Sequence, residues 1–313
     1  MKKCLILLFA VTVYFSADAQ KAPYLTKSFS SQNISSIVAK TSGGNISVTS
    51  VNPSESRVEV FVSKNGNWRN KLSDDELKSK IEENYDLEVS VNNGTLTAIA
   101  KSKHNITNWK NSLSFSFKIY VPQKVSTQLQ TSGGNIDLNG LSGDQDFKTS
   151  GGNLSLNSLS GNIKGKTSGG NISLKNCKDE LELSTSGGNI HAENSTGKIH
   201  LSTSGGSVEL NDLKGNIDAS TSGGNVEGET ISGTLSARTS GGNVSLQKLS
   251  CSVKASTSGG NIDASILSPG KYVTLHNSSG QVRRQSTLSR RSRSMRSWRR
   301  RMRANGREAS RCS

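Results

Sequence analysis

Apolar and polar residues along most of this chain recur with a period of 18. The period is marked by the pentapeptide Thr-Ser-Gly-Gly-Asn, which begins at Thr131, Thr149, Thr167, Thr185, Thr221, Thr239 and Thr257. A Thr-Ser-Gly-Gly-Ser variant begins at Thr203, and a further copy at Thr41 stands apart in sequence. With each Thr as position 1, position 6 reads Ile136, Leu154, Ile172, Ile190, Val208, Val226, Val244 and Ile262. Position 8 is mostly Leu or Ala, and positions 15 and 17 are again apolar or small, as in Leu181 and Leu183 or Ile217 and Ala219. The residues between them are polar: Asp137, Ser155 and Glu209 at position 7, Lys164, Glu182 and Asp218 at position 16. Alternation of this kind belongs to strands with one buried face. Each repeat therefore reads as one rung of a solenoid, with two short strands and two corners.

The fold class expected is all-β, a single-chain parallel β-solenoid with eight rungs over residues 131–280. At ~4.8 Å per rung the array would be ~38 Å long. A triangular helix with six residues per side is the rival, but it requires apolar residues at positions 12 and 18. Those positions hold Ser142, Lys178, Lys148 and Arg238.

The pentapeptide makes sense as corner chemistry. Gly133, Gly134, Gly151, Gly152, Gly169, Gly170, Gly187 and Gly188 are read as corner residues, chosen because glycine takes positive φ without a Cβ penalty. A second corner carries Gly143, Gly161, Gly197, Gly215 and Gly233 at position 13. The Asn after the bend (Asn135, Asn153, Asn171, Asn189, Asn225, Asn243 and Asn261) is read as a structural ladder, bonding along the axis as stacked Asn does in cross-β assemblies. The Thr of position 1 continues the inward alternation and should face the interior.

The flanks differ from the array. Residues 1–19 have the form of a secretory signal peptide: Lys2 and Lys3, an apolar run from Leu5 to Phe15, and Ala17-Asp18-Ala19 before the cleavage point. The apolar run is too short to span a bilayer, so no transmembrane segment is expected after cleavage. Residues 20–130 are expected to hold a first rung around Thr41 and an N-terminal cap. Strands are expected at Arg57–Val62, Leu87–Val91, Thr95–Ala100 and Leu113–Val121. Ser73-Asp-Asp-Glu76 is a capping box, with Leu72 and Leu77 as a hydrophobic staple, so a helix should run to about Asn84 with Leu77 and Ile81 on one face. Trp68 and Trp109 fall in polar loops of this segment and read as anchors of those loops.

Residues 281–313 contain twelve Arg, no Lys and one acid, Glu308, and so supply most of the +15 net charge. Three readings compete: a basic arm for a polyanion, a solvated tail, or a shifted reading frame. The third accounts for both the switch from Lys to Arg and the loss of alternation. An exported chain does not ordinarily meet nucleic acid, and Trp298 is the one aromatic residue in the arm, so no nucleic-acid partner is expected.

Little in the sequence points to catalysis. Cys177 and Cys251 lie four rungs apart, ~19 Å along the axis, beyond disulfide reach; Cys312 belongs to the Arg-rich segment. His191 and His200 share a rung but project from opposite faces, while His104 and His276 lack partners at ligand spacing. No cofactor or metal is expected. Glu209 and Glu227 are the adjacent carboxylates of position 7, with a rung spacing that would suit a retaining glycosidase. They carry the alternative reading, a carbohydrate-active β-helix enzyme; a second alternative is polyanion binding through the basic segment.

The chain resembles the bacterial DUF4097 family of adhesin-type surface proteins. The residues that carry the resemblance are the repeated Thr-Ser-Gly-Gly-Asn-Ile/Val, the Leu-Ser-Gly corners, the strand Leu113–Val121 ending in Tyr-Val-Pro, and the exit Val273-Thr-Leu-His-Asn-Ser-Ser-Gly280. It spans about residues 30–280. The resemblance implies a β-helical surface protein and no catalytic residues. The function expected is a non-enzymatic, adhesin-like binding or scaffolding module of the bacterial cell envelope, exported to periplasm, surface or medium, with an envelope glycan or protein as partner.

Overall fold

A computed structural model describes residues 22–64, 73–104 and 112–286. The signal-peptide pattern, Leu72, Trp68, Trp109, Trp298, Cys312 and the arginines beyond residue 286 lie outside the described residues. The described chain is an all-β parallel solenoid of about nine turns with a spacing of about 18 residues.

Two columns of strands run the length of the array. In one, Ile136 pairs with Leu154, Leu154 with Ile172, Ile172 with Ile190, and so on through Val244 and Ile262. In the other, Gln145 pairs with Ile163, then Leu181, Ile199, Ile217, Leu235 and Val253 follow in register. Because register equals the repeat length, every inward residue lands on an inward residue of the next turn. All eight residues at position 6 are at most 1% exposed. Volumes are matched between turns where the pattern departs from Leu and Ile. Gly165 lies under the ring of Phe147, and Gly228 leaves room for Ile231 and Leu246. The buried Gln145 is satisfied inside: it accepts from Thr127 Oγ1 at 2.7 Å and donates to the Val125 carbonyl at 2.7 Å.

The corner glycines work by a different mechanism from the one their sequence suggests. None of the Ser-Gly-Gly glycines has φ in the left-handed region; positive φ falls instead at position 13 (105° to 127° in Gly143, Gly161, Gly197, Gly215 and Gly233). It also falls at position 10, where Ser158, Asn176, Asn194, Asp212, Thr230 and Lys248 all lie between 46° and 57°. What demands glycine at position 4 is crowding. A Cβ on Gly134, Gly152, Gly170 or Gly188 would overlap the carbonyl of the equivalent glycine one turn earlier. At position 3 the nearest atoms to a Cβ on Gly151 or Gly133 are 3.8 Å away, an ordinary contact.

The copy at Thr41, distant in sequence, is the adjacent turn in space. Ile46 pairs with Ile136 on one side and with Phe117 on the other, and Ile37 lies between Thr127 and Leu96. The strands Thr95–Ser102 and Leu113–Val121 thus form a layer beneath the first rung. Each is backed by an antiparallel partner, Tyr85–Asn92 and Arg57–Lys64, and Leu25–Ser28 pairs antiparallel with the latter. The helix Asp74–Asn84 enters this layer with the full Ser73/Glu76 capping box. Its Ile81 is buried, and Tyr85 at its end packs on Phe115 with ring centres 5.0 Å apart.

At the other end the array continues past residue 280. Val282–Ser286 is a strand in register with Ile262–Ile266, so the solenoid reaches at least Ser286, past the expected Gly280. The last step is 20 residues, the extra length being taken up in the corner before Val273–Asn277.

Candidate binding surface

The repeated corners form a ridge along the solenoid, built from two hydrogen-bond systems. The first is internal. Thr149 Oγ1 donates to the Gly134 carbonyl of the previous turn at 2.9 Å and accepts from its own Gly152 N–H at 3.3 Å. The same pair of bonds recurs at Thr131, Thr167, Thr185, Thr203, Thr221, Thr239 and Thr257. These Thr residues are at most 6% exposed. A buried Thr row presents no hydroxyls to an outside partner.

The second system is the Asn ladder. The amide groups do not bond to one another; each Oδ1 accepts the backbone N–H of position 5 in the next turn. Asn153, Asn171 and Asn189 N–H donate to Asn135, Asn153 and Asn171 Oδ1, all at 2.8 Å. The ladder begins in the cap, where Asn45 N–H donates to Ser116 Oγ, and passes through Asn45 to Asn135. It crosses the variant turn through Ser207, whose Oγ accepts from Asn225 at a longer 3.1 Å. It then continues through Asn225, Asn243 and Asn261 to the N–H of Gln281. The oxygen of each ladder amide is thus engaged along the axis, and Asn153, Asn171, Asn189, Asn243 and Asn261 are exposed.

Sequence reading passed over the last corner because it lacks the pentapeptide. There Asn277 replaces Thr: its Nδ2 donates to the Gly260 carbonyl at 2.7 Å and its Oδ1 accepts from Gly280 N–H at 3.1 Å. The signal available was the exit Asn-Ser-Ser-Gly followed by Gln281 and an apolar Val282.

The outer side of this ridge is uniform. Ser150, Ser168, Ser186, Ser204, Ser222 and Ser240 at position 2 are exposed, as are the position-3 glycines beside them. No charged residue occurs within any copy of the pentapeptide. The result is a neutral strip of hydroxyls and amide nitrogens repeated at every turn, ~4.8 Å apart.

The strand faces on either side are charged and irregular. Glu209 accepts from Asn211 Nδ2 at 2.9 Å and lies 3.0 Å from His191 Nδ1. These hydrogen bonds, Asn211 first, hold its carboxyl below the usual carboxylate range. Glu227 sits beside Glu209 in register. His200 lies on the other strand column, 3.4 Å from Asp218, which also takes two bonds from Arg238 at 2.7 and 2.9 Å. Among the described residues no group of three His, Cys, Asp or Glu could hold a metal ion. Cys177 and Cys251 are both buried and free, and burial pushes the Cys251 thiol up to about 11. Such a thiol stays protonated at neutral pH and is a poor nucleophile.

The crystal structure of a putative adhesin from Bacteroides fragilis is similar at 15% sequence identity and a TM-score of 0.35, covering 83% of this chain and 96% of that one. No curated protein matches the chain. No described helix is long and apolar enough to cross a membrane. The family model described as Toastrack DUF4097 matches residues 55–287, and with that match over well more than half its length the chain belongs to the DUF4097 family.

Proposed function

We propose that this protein is an exported, non-enzymatic, adhesin-like binding or scaffolding solenoid of the bacterial cell envelope, and that its corner ridge is the surface that meets a partner. The observation that carries this reading is the fixed polarity of the ridge. The Asn ladder engages the Oδ1 of these side chains along the axis, leaving their NH2 groups as donors beside a row of exposed Ser hydroxyls. One weak group repeated along a rigid rod suits a partner that is itself repetitive, because the second and later contacts form at high effective concentration. A neutral envelope glycan has that character; a surface protein is the other partner of this class. The pattern of residues 1–19, cut after Ala19, supports export to the periplasm, surface or medium.

The glycosidase reading has less support. A retaining enzyme needs one carboxyl kept protonated by its surroundings. Glu209, held below the usual carboxylate range by Asn211 and His191, could serve only as the ionised partner, and Glu227 beside it lies on an exposed strand face.

The test is sedimentation of the purified protein with isolated peptidoglycan and with neutral cell-wall polysaccharide. Substituting Ser168, Ser186 and Ser204 by Lys places charge on the ridge without touching the ladder, and should abolish binding while the circular dichroism spectrum is retained. Unchanged binding by that variant would remove the ridge from the function.

A further inference from the structure

The two strand columns share one core and turn their outward residues to opposite sides of the rod. Those sides differ in charge, and they differ in the same turns. On one side Glu193, Glu209, Glu227 and Glu229 stand at positions 7 and 9 of three successive turns, where His191 is the only residue able to carry positive charge. On the other, Lys198, Lys214, Arg238 and Lys254 are exposed at positions 12 to 18 of the turns that begin at Thr185, Thr203, Thr221 and Thr239, with Asp218 as the one acid. Arg238 is paired with Asp218 and Lys198 with Glu180, while Glu193 and Glu229 are paired with Lys175 and Lys248. Glu227, Lys214 and Lys254 make no ion pair among the described residues. Over residues 131–184 both sides are near balance, with Asp137 against Lys175 on one and four lysines against five acids on the other.

The occupant that answers both sides at once is a second copy of the chain. Laid parallel and without axial offset, the acidic turns of one copy face the basic turns of the next, and the balanced turns face each other. Both rods have the same rung spacing, so the match repeats along their length. A two-fold dimer would set Glu209 and Glu227 against their twins, and like charges across an interface oppose association. An antiparallel neighbour would bring the same carboxylates toward Glu180 and Glu182. Each face is about 43 Å by about 13 Å, from about nine turns and four-residue strands. Contact between two copies would thus bury roughly 1,100 Å² in total, the size of a weak and reversible interface.

We propose that the rods associate side by side, all pointing the same way, with the acidic face of each copy on the basic face of its neighbour. Glu209 and Glu227 meet Lys214 and Lys254 across the contact. The two surfaces are different patches of one chain, so the contact is head to tail and does not close, and rows grow by addition of further copies. Charge here selects the partner face and its direction more than it supplies affinity. The inference does not depend on the corner ridge, which lies between the two faces and stays uncovered in such a row.

Sedimentation velocity of the full chain over a range of concentrations tests this directly. In about 0.1 M salt the average mass should rise with concentration past that of a dimer, and in about 1 M salt it should return to that of the monomer. Glu209→Lys with Glu227→Lys makes both faces basic, and Lys214→Glu with Lys254→Glu makes both acidic in these turns. Each pair of changes should weaken association roughly tenfold or more, with folding checked by circular dichroism. An equal mixture of the two variants should regain it, because each altered face then meets an opposite one. Both variants stay net positive, like the parent at +15, so general attraction between them cannot produce that recovery. A monomer at every concentration, or growth that stops at a dimer, would overturn the proposal. So would association that neither variant weakens, or a mixture that recovers nothing, since the contact would then lie elsewhere on the chain.

Discussion

At the scale of single residues, the two glycines of each corner look alike in sequence and have opposite tolerances. Gly152 is packed against backbone that cannot move without breaking the stack: a Cβ there would overlap the Gly134 carbonyl and come within 2.8 Å of the Asn135 nitrogen. Gly151 has only ordinary contacts. Gly152→Ala is expected to cost about 3 kcal/mol or more, and Gly151→Ala to stay within about 1 kcal/mol of the parent, read from urea unfolding followed by circular dichroism. The reason for the difference was not legible in Ser-Gly-Gly itself, because glycine serves positive φ and close approach equally well and sequence does not say which. Position 10 was missed for the complementary reason. Its left-handed residues are Ser158, Asn176, Asn194, Asp212, Thr230 and Lys248; Asn and Asp favour this region but Ser, Thr and Lys do not, so the column carries only a partial signal. A third residue-scale effect belongs to Asp137, half-buried in the first rung of the array. Burial raises its pKa, and a hydrogen bond with Ser155 offsets part of the rise. The folded state therefore holds this proton more tightly than the unfolded chain does. The contribution to stability is greatest below the unfolded value of about 3.9 and is lost as pH climbs through the folded one. Asp137→Asn should accordingly stabilise at neutral pH, by less than about 1 kcal/mol because the group keeps contact with water. The advantage should vanish in unfolding curves taken at acid pH.

At the scale of the rung, the strands were legible and the way rungs are joined was only partly so. Period-two alternation of Ile, Leu and Val placed both strand columns, and Ser73 and Glu76 marked the start of the helix, because these signals are local. The partners of Ile46 were not local: Phe117 and Ile136 flank it across long intervals of sequence, and nothing in the sequence announces that the capping strands pass beneath the first rung. The joining itself rests on Thr at position 1, which bridges a carbonyl of one turn to an N–H of the next. Thr203 Oγ1 donates to Gly188 O at 2.8 Å and accepts from Gly206 N–H at 3.3 Å. Thr203→Val keeps the shape and removes both bonds, leaving two buried backbone groups without them. It should cost about 1–3 kcal/mol. Thr203→Ser retains the hydroxyl and should lose clearly less, so a difference between the two in denaturant midpoint isolates the hydroxyl from the packing. Equal losses would assign the role of Thr to its methyl group.

At the scale of the whole molecule, identical joints at every turn make the rod a sum of near-equivalent layers, with stability set by nearest neighbours and by its two ends. The partner was the least legible part of the sequence for the same reason: the conspicuous repeat specifies joints, and the residues between them vary from turn to turn. Register supplies the sharpest test of this architecture. Removing residues 185–202 takes out one complete turn, so that Thr203 follows Ser184 and the Thr203 turn stacks on the Thr167 turn with every inward position still inward. Val208 would then meet Ile172, and Ile217 would meet Leu181. The shortened protein should fold with the same circular dichroism signature, and its unfolding should show a smaller dependence on denaturant because less surface is exposed. Removing residues 185–193 deletes an odd number and half a turn. It exchanges inward for outward positions in the affected turn, and a strand with its faces reversed cannot join the core. That chain should fail to fold as a single cooperative unit, visible as loss of protease resistance across the array. If both deletions are equally tolerated, register is not what holds the turns together. If both are equally disruptive, the turns are not equivalent layers, and the ends or the Thr185 turn itself must carry the stability of the rod.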